Sequence, residues 1–455
     1  MPIIALVAGC GGGAVHHAAA PKPVVRHLTT LRPAKLVVTV VDGNRNARVR
    51  AATVRLWHRA ARTNGKGESV IRVPDRKSMY VTVQAHGYET RTLFEPFARF
   101  RRVTVRIYRP SMQWQLYGAT PARSQAQVHI HLRPPFKTVW YVPLGGLVEF
   151  PAVVDNGVAY IGNRSGTVYA ISMRVGNVLW RHRTNATMAS SLGVYGDELV
   201  HHSMDGRVSL LDRATGAVRW SYDVHSAIES SPIVWNGVDY FGTWDGRVIA
   251  LDLRARRVRW TRSFGAKITS SASIADGTLF IGDYAGRLSA LSPRTGATRW
   301  TASVNGRIYG TPAVANGRVF VPSSTGGSLT AFSTRGRYLW RVSTGSYVYS
   351  SPAVWGGRVF FGSYNGVFYA VSAASGGVLW RVGAGGPISG AAVVVDGVAY
   401  AGSFAGRIIG VAAQSGRIVL NFPHGHYVPV SGDGMRLLLH GYSSLYAVEP
   451  IRALK

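Results

Sequence analysis

Tryptophan recurs at Trp140, Trp180, Trp220, Trp260, Trp300, Trp340 and Trp380, and Leu420 takes the next place in that series. A constant spacing means one supersecondary unit used many times, with each copy covering its neighbour. Two turn signals keep the same register. The first is Asn156-Gly157, Asn236-Gly237, Asp276-Gly277, Asn316-Gly317, Gly356-Gly357 and Asp396-Gly397, with Gly196-Asp197 in the second unit. The second is Ser165-Gly166, Asp205-Gly206, Asp245-Gly246, Ala285-Gly286, Asn365-Gly366 and Ala405-Gly406, replaced by Gly326-Gly327 in the fifth. Asn-Gly and Asp-Gly accept positive φ at both central positions and so close two-residue hairpins. Apolar β-formers flank them, as in Ile233-Val234 and Val238 to Phe241. Each unit therefore reads as four short antiparallel strands, which is a propeller blade.

The blades can be counted. Seven units end at Trp180 to Trp380 and Leu420, and an eighth starts at Asn421 and runs out near Val448 without an outer strand. Phe136 to Trp140 is an orphan outer strand, and pairing it with the last unit closes the ring and removes the open edge. The expected fold is all-β: an eight-bladed β-propeller over 136–455, preceded by a small β-sandwich. The tryptophans at the blade ends are expected to dock each blade on the next, each indole N–H requiring an acceptor.

The unit also resembles a known family. Ala170…Gly176…Trp180, Ala290…Thr295-Gly296…Trp300 and Ala370…Gly376…Trp380 are similar to the Ala-x5-Gly-x3-Trp docking motif of pyrroloquinoline-quinone-type (quinoprotein-like) propeller repeats. Arg133-Pro134-Pro135-Phe136 leading to Trp140, then Glu149-Phe150-Pro151, resembles the opening of actinobacterial propellers of that group. The resemblance covers about 70% of the chain. Its members include quinoprotein alcohol dehydrogenases and the outer-membrane assembly lipoprotein, a non-enzymatic scaffold.

The dehydrogenase branch implies an adjacent Cys-Cys pair, a calcium ion held by a carboxylate and an amide, and an Asp acting as base beside the quinone. This chain has one cysteine, Cys10, and no insertions in the 40-residue register that would enclose a cofactor. Glu149 and Glu229 share one repeat position at the start of the innermost strand and are candidates for the channel mouth. Tyr309 and Tyr349, with Tyr347, are candidates for an aromatic surface there; packing between blades is the plainer role for them. His129 and His131 alternate as on one strand face, His201-His202 sit on a middle strand, and His424 and His426 flank the start of the eighth unit. Pairs at i, i+2 without a third partner do not make a metal site, and none is assigned. No catalytic residue and no cofactor is expected; pyrroloquinoline quinone and calcium belong to the alternative, a quinone-dependent dehydrogenase.

Residues 34–109 form a separate unit. Lys35 to Gly43, Ala52 to Leu56, Ser69 to Val73, Tyr80 to Ala85 and Val103 to Ile107 read as strands, and Gly87-Tyr88-Glu89-Thr90 is placed as in transthyretin-like or carboxypeptidase-regulatory-like sandwiches. Residues 110–135 are expected to link it to the propeller. At the N-terminus, Val7-Ala8-Gly9-Cys10 resembles a bacterial lipobox, which implies a signal-like segment at 1–10, lipidation of Cys10 and a flexible Gly/Ala/Pro-rich tether at 11–33. No Lys or Arg precedes the apolar run, which departs from that pattern; an upstream start would supply one. No internal run of about 18 apolar residues offers a spanning helix.

The formal charge is +31, and the first 110 residues hold 20 Lys/Arg against 5 Asp/Glu. Such a field favours anionic partners, although Arg-rich coding is the plainer account of it. The reading is a monomeric, extracytoplasmic, lipid-anchored binding scaffold whose partners are envelope proteins or anionic envelope polymers, with nucleic acid not among them. A sensor or polysaccharide-binding module would use the same faces.

Overall fold

The structure is a computed structural model and describes residues 34–73, 79–95 and 102–451. Cys10 and the segments 1–10 and 11–33 lie outside the described residues. Two units follow.

The first has two sheets. Glu68–Val73 pairs antiparallel with Ala34–Asp42, which pairs in parallel with Arg102–Ile107. Arg59–Arg62, Thr53–Leu56, Met79–Gln84 and Arg91–Glu95 make the other sheet. Alternation along each strand sends Val38, Val40, Val54, Ile71, Val81, Val83 and Val105 into one shared apolar core.

The second unit is a β-propeller. Among the described residues eight sheets follow one another in sequence order, and the innermost strands of the first and last touch. We number these blades 1 to 8. Blade 1 is Val153–Asp155, Val158–Gly162, Thr167–Ser172 and Val178–Arg183, and blades 2 to 7 repeat it. The last blade has Gly425–Gly432, Leu437–Gly441 and Ser444–Pro450, and its outer strand is Phe136–Pro143, with Trp140 opposite Ala447. Asn421 belongs instead to the outer strand of blade 7, Ile418–Pro423.

The seams between blades explain the tryptophans. Trp140, Trp180, Trp260, Trp300, Trp340 and Trp380 each donate Nε1–H to a carbonyl of the next blade, at 2.8–3.2 Å. Each indole lies on a glycine of that blade. At Gly376, with φ of +74°, an added Cβ would stand 2.7 Å from the Trp340 ring. The glycine thus serves two needs at once: a left-handed turn and close approach of the ring. One seam differs. Residue 256 stands where that glycine recurs, and it is Arg256, at φ +54° with its guanidinium 5.7 Å from the Trp220 ring.

Residues 110–135 join the two units and are also built into the propeller. Each innermost strand leaves one edge of backbone N–H and C=O groups facing the axis. Trp114 exchanges two hydrogen bonds with Val154, at 2.8 and 2.9 Å. Val194, Ile274, Val314, Val354 and Val394 donate to the carbonyls of Gln115, Pro121, Ala122, Ser124 and Gln125. Ala126–Gln127 adds a parallel fifth strand to blade 7. Blade 3 is reached by a side chain: Arg123, fully buried, donates to the carbonyls of Ser231 and Pro232, and also to Ala272 and Tyr117. This segment is an axial plug. His129, expected on a strand face with His131, sits in a bend after it, because the chain must leave the axis there; His131 faces Asp396 at 3.3 Å.

Candidate functional site at the channel mouth

The repeat places two residues of each of blades 1 to 7, and one of blade 8, around the axis at the end away from the first unit. One precedes the innermost strand: Glu149, Ala189, Glu229, Thr269, Tyr309, Tyr349 and Ser389, with Tyr427, inside the longer innermost strand of blade 8, in the corresponding place. The other follows the second strand: Arg164, Met204, Trp244, Tyr284, Ser324, Tyr364 and Phe404. The two rings are tied by one recurring bond, since each outer-ring N–H donates to a carbonyl two residues before the inner-ring residue, as in Trp244 to Ala227 and Tyr364 to Tyr347. This explains why a constant register in the chain becomes a ring in space.

Between them lies a cavity of about 340 Å³. Glu149, Glu229, Tyr309 and Tyr349 all line it, together with Phe150, Thr269, Tyr364, Ser389, Phe404 and Tyr427. Its floor includes Tyr117 of the axial plug, whose hydroxyl donates to Ser351 Oγ at 3.0 Å. Tyr347 lies beside the lining residues, 48% exposed.

The cavity has two unlike sides. Blades 1, 3 and 4 carry charge. Both Glu149 oxygens accept from Arg164 at 2.8 Å. Glu229 accepts from Tyr309 Oη at 2.8 Å and from Trp244 Nε1 at 3.1 Å. Burial raises the Glu149 carboxyl above its ordinary range, opposed by Arg164 and assisted by Glu229. Burial also raises Tyr309 well above the usual phenol value, and the Glu229 charge adds to the effect. Lys267 Nζ sits 3.2 Å from the Trp244 ring centroid, and Arg307 lies 5.4 Å from that of Tyr284. Blades 5 to 8 are aromatic. Tyr309 meets Tyr349 edge-on at 5.4 Å, Tyr349 meets Tyr364 at 5.2 Å, Tyr364 meets Phe404 at 5.8 Å, and Phe404 stacks on His426 at 4.3 Å.

The outer ring, Trp244, Tyr284, Tyr364 and Phe404, escaped the sequence reading. The signal was present: each stands two residues before the second turn glycine. The other histidines are elsewhere. His202 is wholly buried between blades 2 and 3, with Nε2 2.8 Å from Asp239 and Nδ1 2.7 Å from the Ser230 carbonyl. Among the described residues no three His, Cys, Asp or Glu side chains are grouped closely enough to hold a metal ion.

The family model described as outer membrane protein assembly factor BamB matches residues 134–271, 244–347 and 325–439. The chain belongs to this family. BamB from Moraxella catarrhalis is similar to it in structure, with a TM-score of 0.60, 20% identity, 71% of this chain covered and 100% of that one. Quinohemoprotein alcohol dehydrogenase from Comamonas testosteroni gives 0.64 at 13% identity, covering 76% and 82%. The computationally designed Ika8 protein gives 0.61 at 16%, covering 68% and 98%. No curated protein sequence matches the chain. At these identities the solved structures establish the fold. The BamB-type repeat family thus accounts for the propeller, and its neighbours include an assembly factor and an oxidoreductase.

Proposed function

We propose that this BamB-type propeller is a non-catalytic extracytoplasmic scaffold that binds an envelope partner at its channel mouth. The observation that carries the proposal is the state of the two mouth carboxylates. Glu149 is clamped by Arg164, and Glu229 accepts from Tyr309 and Trp244. A quinone enzyme needs a carboxylate free for a metal and a base within reach of the substrate hydroxyl. The residues present do not fit that group: Glu149 is paired with Arg164, among the described residues no third ligand joins the two acids, and Cys10 is the chain's single cysteine. The family model that matches is described as outer membrane protein assembly factor BamB; a protein-binding role for this chain follows by analogy.

The alternative, a quinone-dependent dehydrogenase, rests on the axial cavity with its paired acids. One experiment separates the two. Purified protein given pyrroloquinoline quinone and calcium is expected to show no dye-linked oxidation of alcohols or sugars. A photo-crosslinking residue at Tyr347 is expected to capture a defined envelope protein in intact cells. Saturable, calcium-dependent turnover lost in Glu229→Gln would replace the scaffold with an oxidoreductase. Anchoring belongs to the same proposal: Cys10→Ser is expected to leave the membrane fraction, since among the described residues no helix is long and apolar enough to cross a membrane. Retention of that variant through a high-salt wash would refute the anchor.

A further inference from the structure

The two sides of the mouth cavity are unlike in one chemical respect. On blades 3 and 4 the outer aromatics already carry cations of the chain: Lys267 on Trp244 and Arg307 on Tyr284. On blades 5 to 8, Tyr349, Tyr364, Phe404 and Tyr427 line the cavity. Among the described residues none of these four rings carries a cation of the chain. Among the described residues the only charged side chains in the cavity wall are Glu149 and Glu229. Glu149 is paired with Arg164, whereas Glu229 accepts from two neutral donors, Tyr309 and Trp244, with Lys267 near enough to feel its charge. Thr269, 5% exposed, lines the same cavity.

A negative carboxylate opposite an arc of aromatic rings is the environment that recognises a cation. Ring quadrupoles attract it, and the carboxylate supplies charge-assisted hydrogen bonds. A guanidinium suits this best, because it stacks on aromatic faces and donates in a planar fork. The size agrees: about 340 Å³ lies at the small end of ligand pockets. The chain's charge of +31 repels a basic polymer, so the cation must be a single one on an otherwise neutral or acidic surface.

We propose that the mouth cavity is a socket for one basic side chain, preferably arginine, presented by a loop of a protein partner. The proposal rests on the scaffold reading and names the group that the scaffold grips. Glu229 is the charge it meets, and Tyr349, Tyr364 and Phe404 form the aromatic wall.

The test uses the full chain and two capped peptides, Gly-Gly-Arg-Gly-Gly and the same sequence with citrulline. Citrulline keeps the shape and loses the charge. Calorimetry is expected to show saturable binding of the arginine peptide and at least about tenfold weaker binding of the citrulline peptide. Glu229→Gln, which retains an acceptor for Tyr309, and Tyr364→Ala are each expected to weaken the arginine peptide by about tenfold with melting temperature unchanged. Equal affinity for both peptides, no binding of either, or binding that survives both substitutions would overturn the socket. The scaffold reading is judged separately. If the Tyr347 crosslink persists in Glu229→Gln and is not competed by the arginine peptide, a partner docks at the mouth and the socket is wrong. Loss of the crosslink in both conditions supports the socket.

Discussion

The seams between blades and the plug along the axis hold the same propeller together by opposite means. At the seams one contact is made repeatedly: an indole on a glycine, with a hydrogen bond to the next blade's carbonyl. At the axis a single, non-repeating stretch, Trp114 to Gln127, accepts from the same innermost-strand N–H of six blades and reaches blade 3 through the Arg123 side chain. Repetition is tolerant of error, as the Trp220–Arg256 seam shows, where an arginine stacks on the ring in place of the glycine. The plug has no second copy. Its loss leaves strand edges unpaired on several blades at once.

The largest expected effect follows from that asymmetry. Removing residues 1–110 takes away a unit with its own core and is expected to leave a propeller that melts cooperatively. Removing residues 1–135 also deletes the plug. Removing residues 1–141 further takes Trp140 and most of the closing strand, and is expected to abolish cooperative unfolding by calorimetry. Equal melting of the three truncations would erase the distinction between plug and seam.

Arg123→Ala sharpens it at one residue. Four buried carbonyls lose their donor, and the expected cost is about 3 kcal/mol or more in urea unfolding. Burial brings this guanidinium down to about 10, which leaves it cationic at neutral pH. A cost below about 1 kcal/mol would show that the plug is bound by its backbone alone.

Acid tests the blades and spares the plug. Burial pulls His201 of blade 2 down to about 3 and His440 of blade 8 down to about 4. Both are held neutral in the fold, so their contribution is complete above the free-histidine value of about 6.5 and is lost as pH falls toward the folded values. Asp433, raised to about 6 by burial, acts the other way: its contribution is present below the ordinary carboxylate range and is lost as pH rises through 6. The two histidines outweigh it, and stability is expected to fall by about 2 kcal/mol between pH 7 and pH 4. His440→Gln should flatten the curve; an unchanged pH profile would mean that the ring takes up its proton as readily in the fold as in the unfolded chain.

The smallest effects lie at single seams. Gly376→Ala meets both a positive φ and the Trp340 ring, with an expected cost of about 1–3 kcal/mol by thermal denaturation. Arg256→Gly restores the usual residue at the exceptional seam. It relieves a left-handed arginine and removes a cation from Trp220, so the expected change is within about 1 kcal/mol. If the two substitutions cost the same, the glycine is not what makes the ordinary seam.

What could be read beforehand follows the same division. The tryptophans, their glycines and the pairing of Phe136–Pro143 with the last blade obey a period, so one inspection finds them all. Glu149, Glu229, Tyr309 and Tyr349 were placed at the mouth by register. Trp244, Tyr284, Tyr364 and Phe404 share an equally regular position and were passed over because a turn, not a strand, precedes the glycine there. Tyr117 and Arg123 had no period to betray them, and a stretch of mixed Gly, Pro, Ser and Gln reads as a spacer.

The chain alone determined the four-stranded unit, its repetition and the closure of the ring, because hairpin turns and alternating strands are local and each copy repeats the instruction. Only the tertiary structure decided what fills the axis and what faces the mouth. Those groups are brought together by the ring itself: Arg123 and Ala272 are 149 residues apart, Tyr309 and Glu229 are 80 apart, and no local pattern encodes a distance that exists only once the last strand has closed.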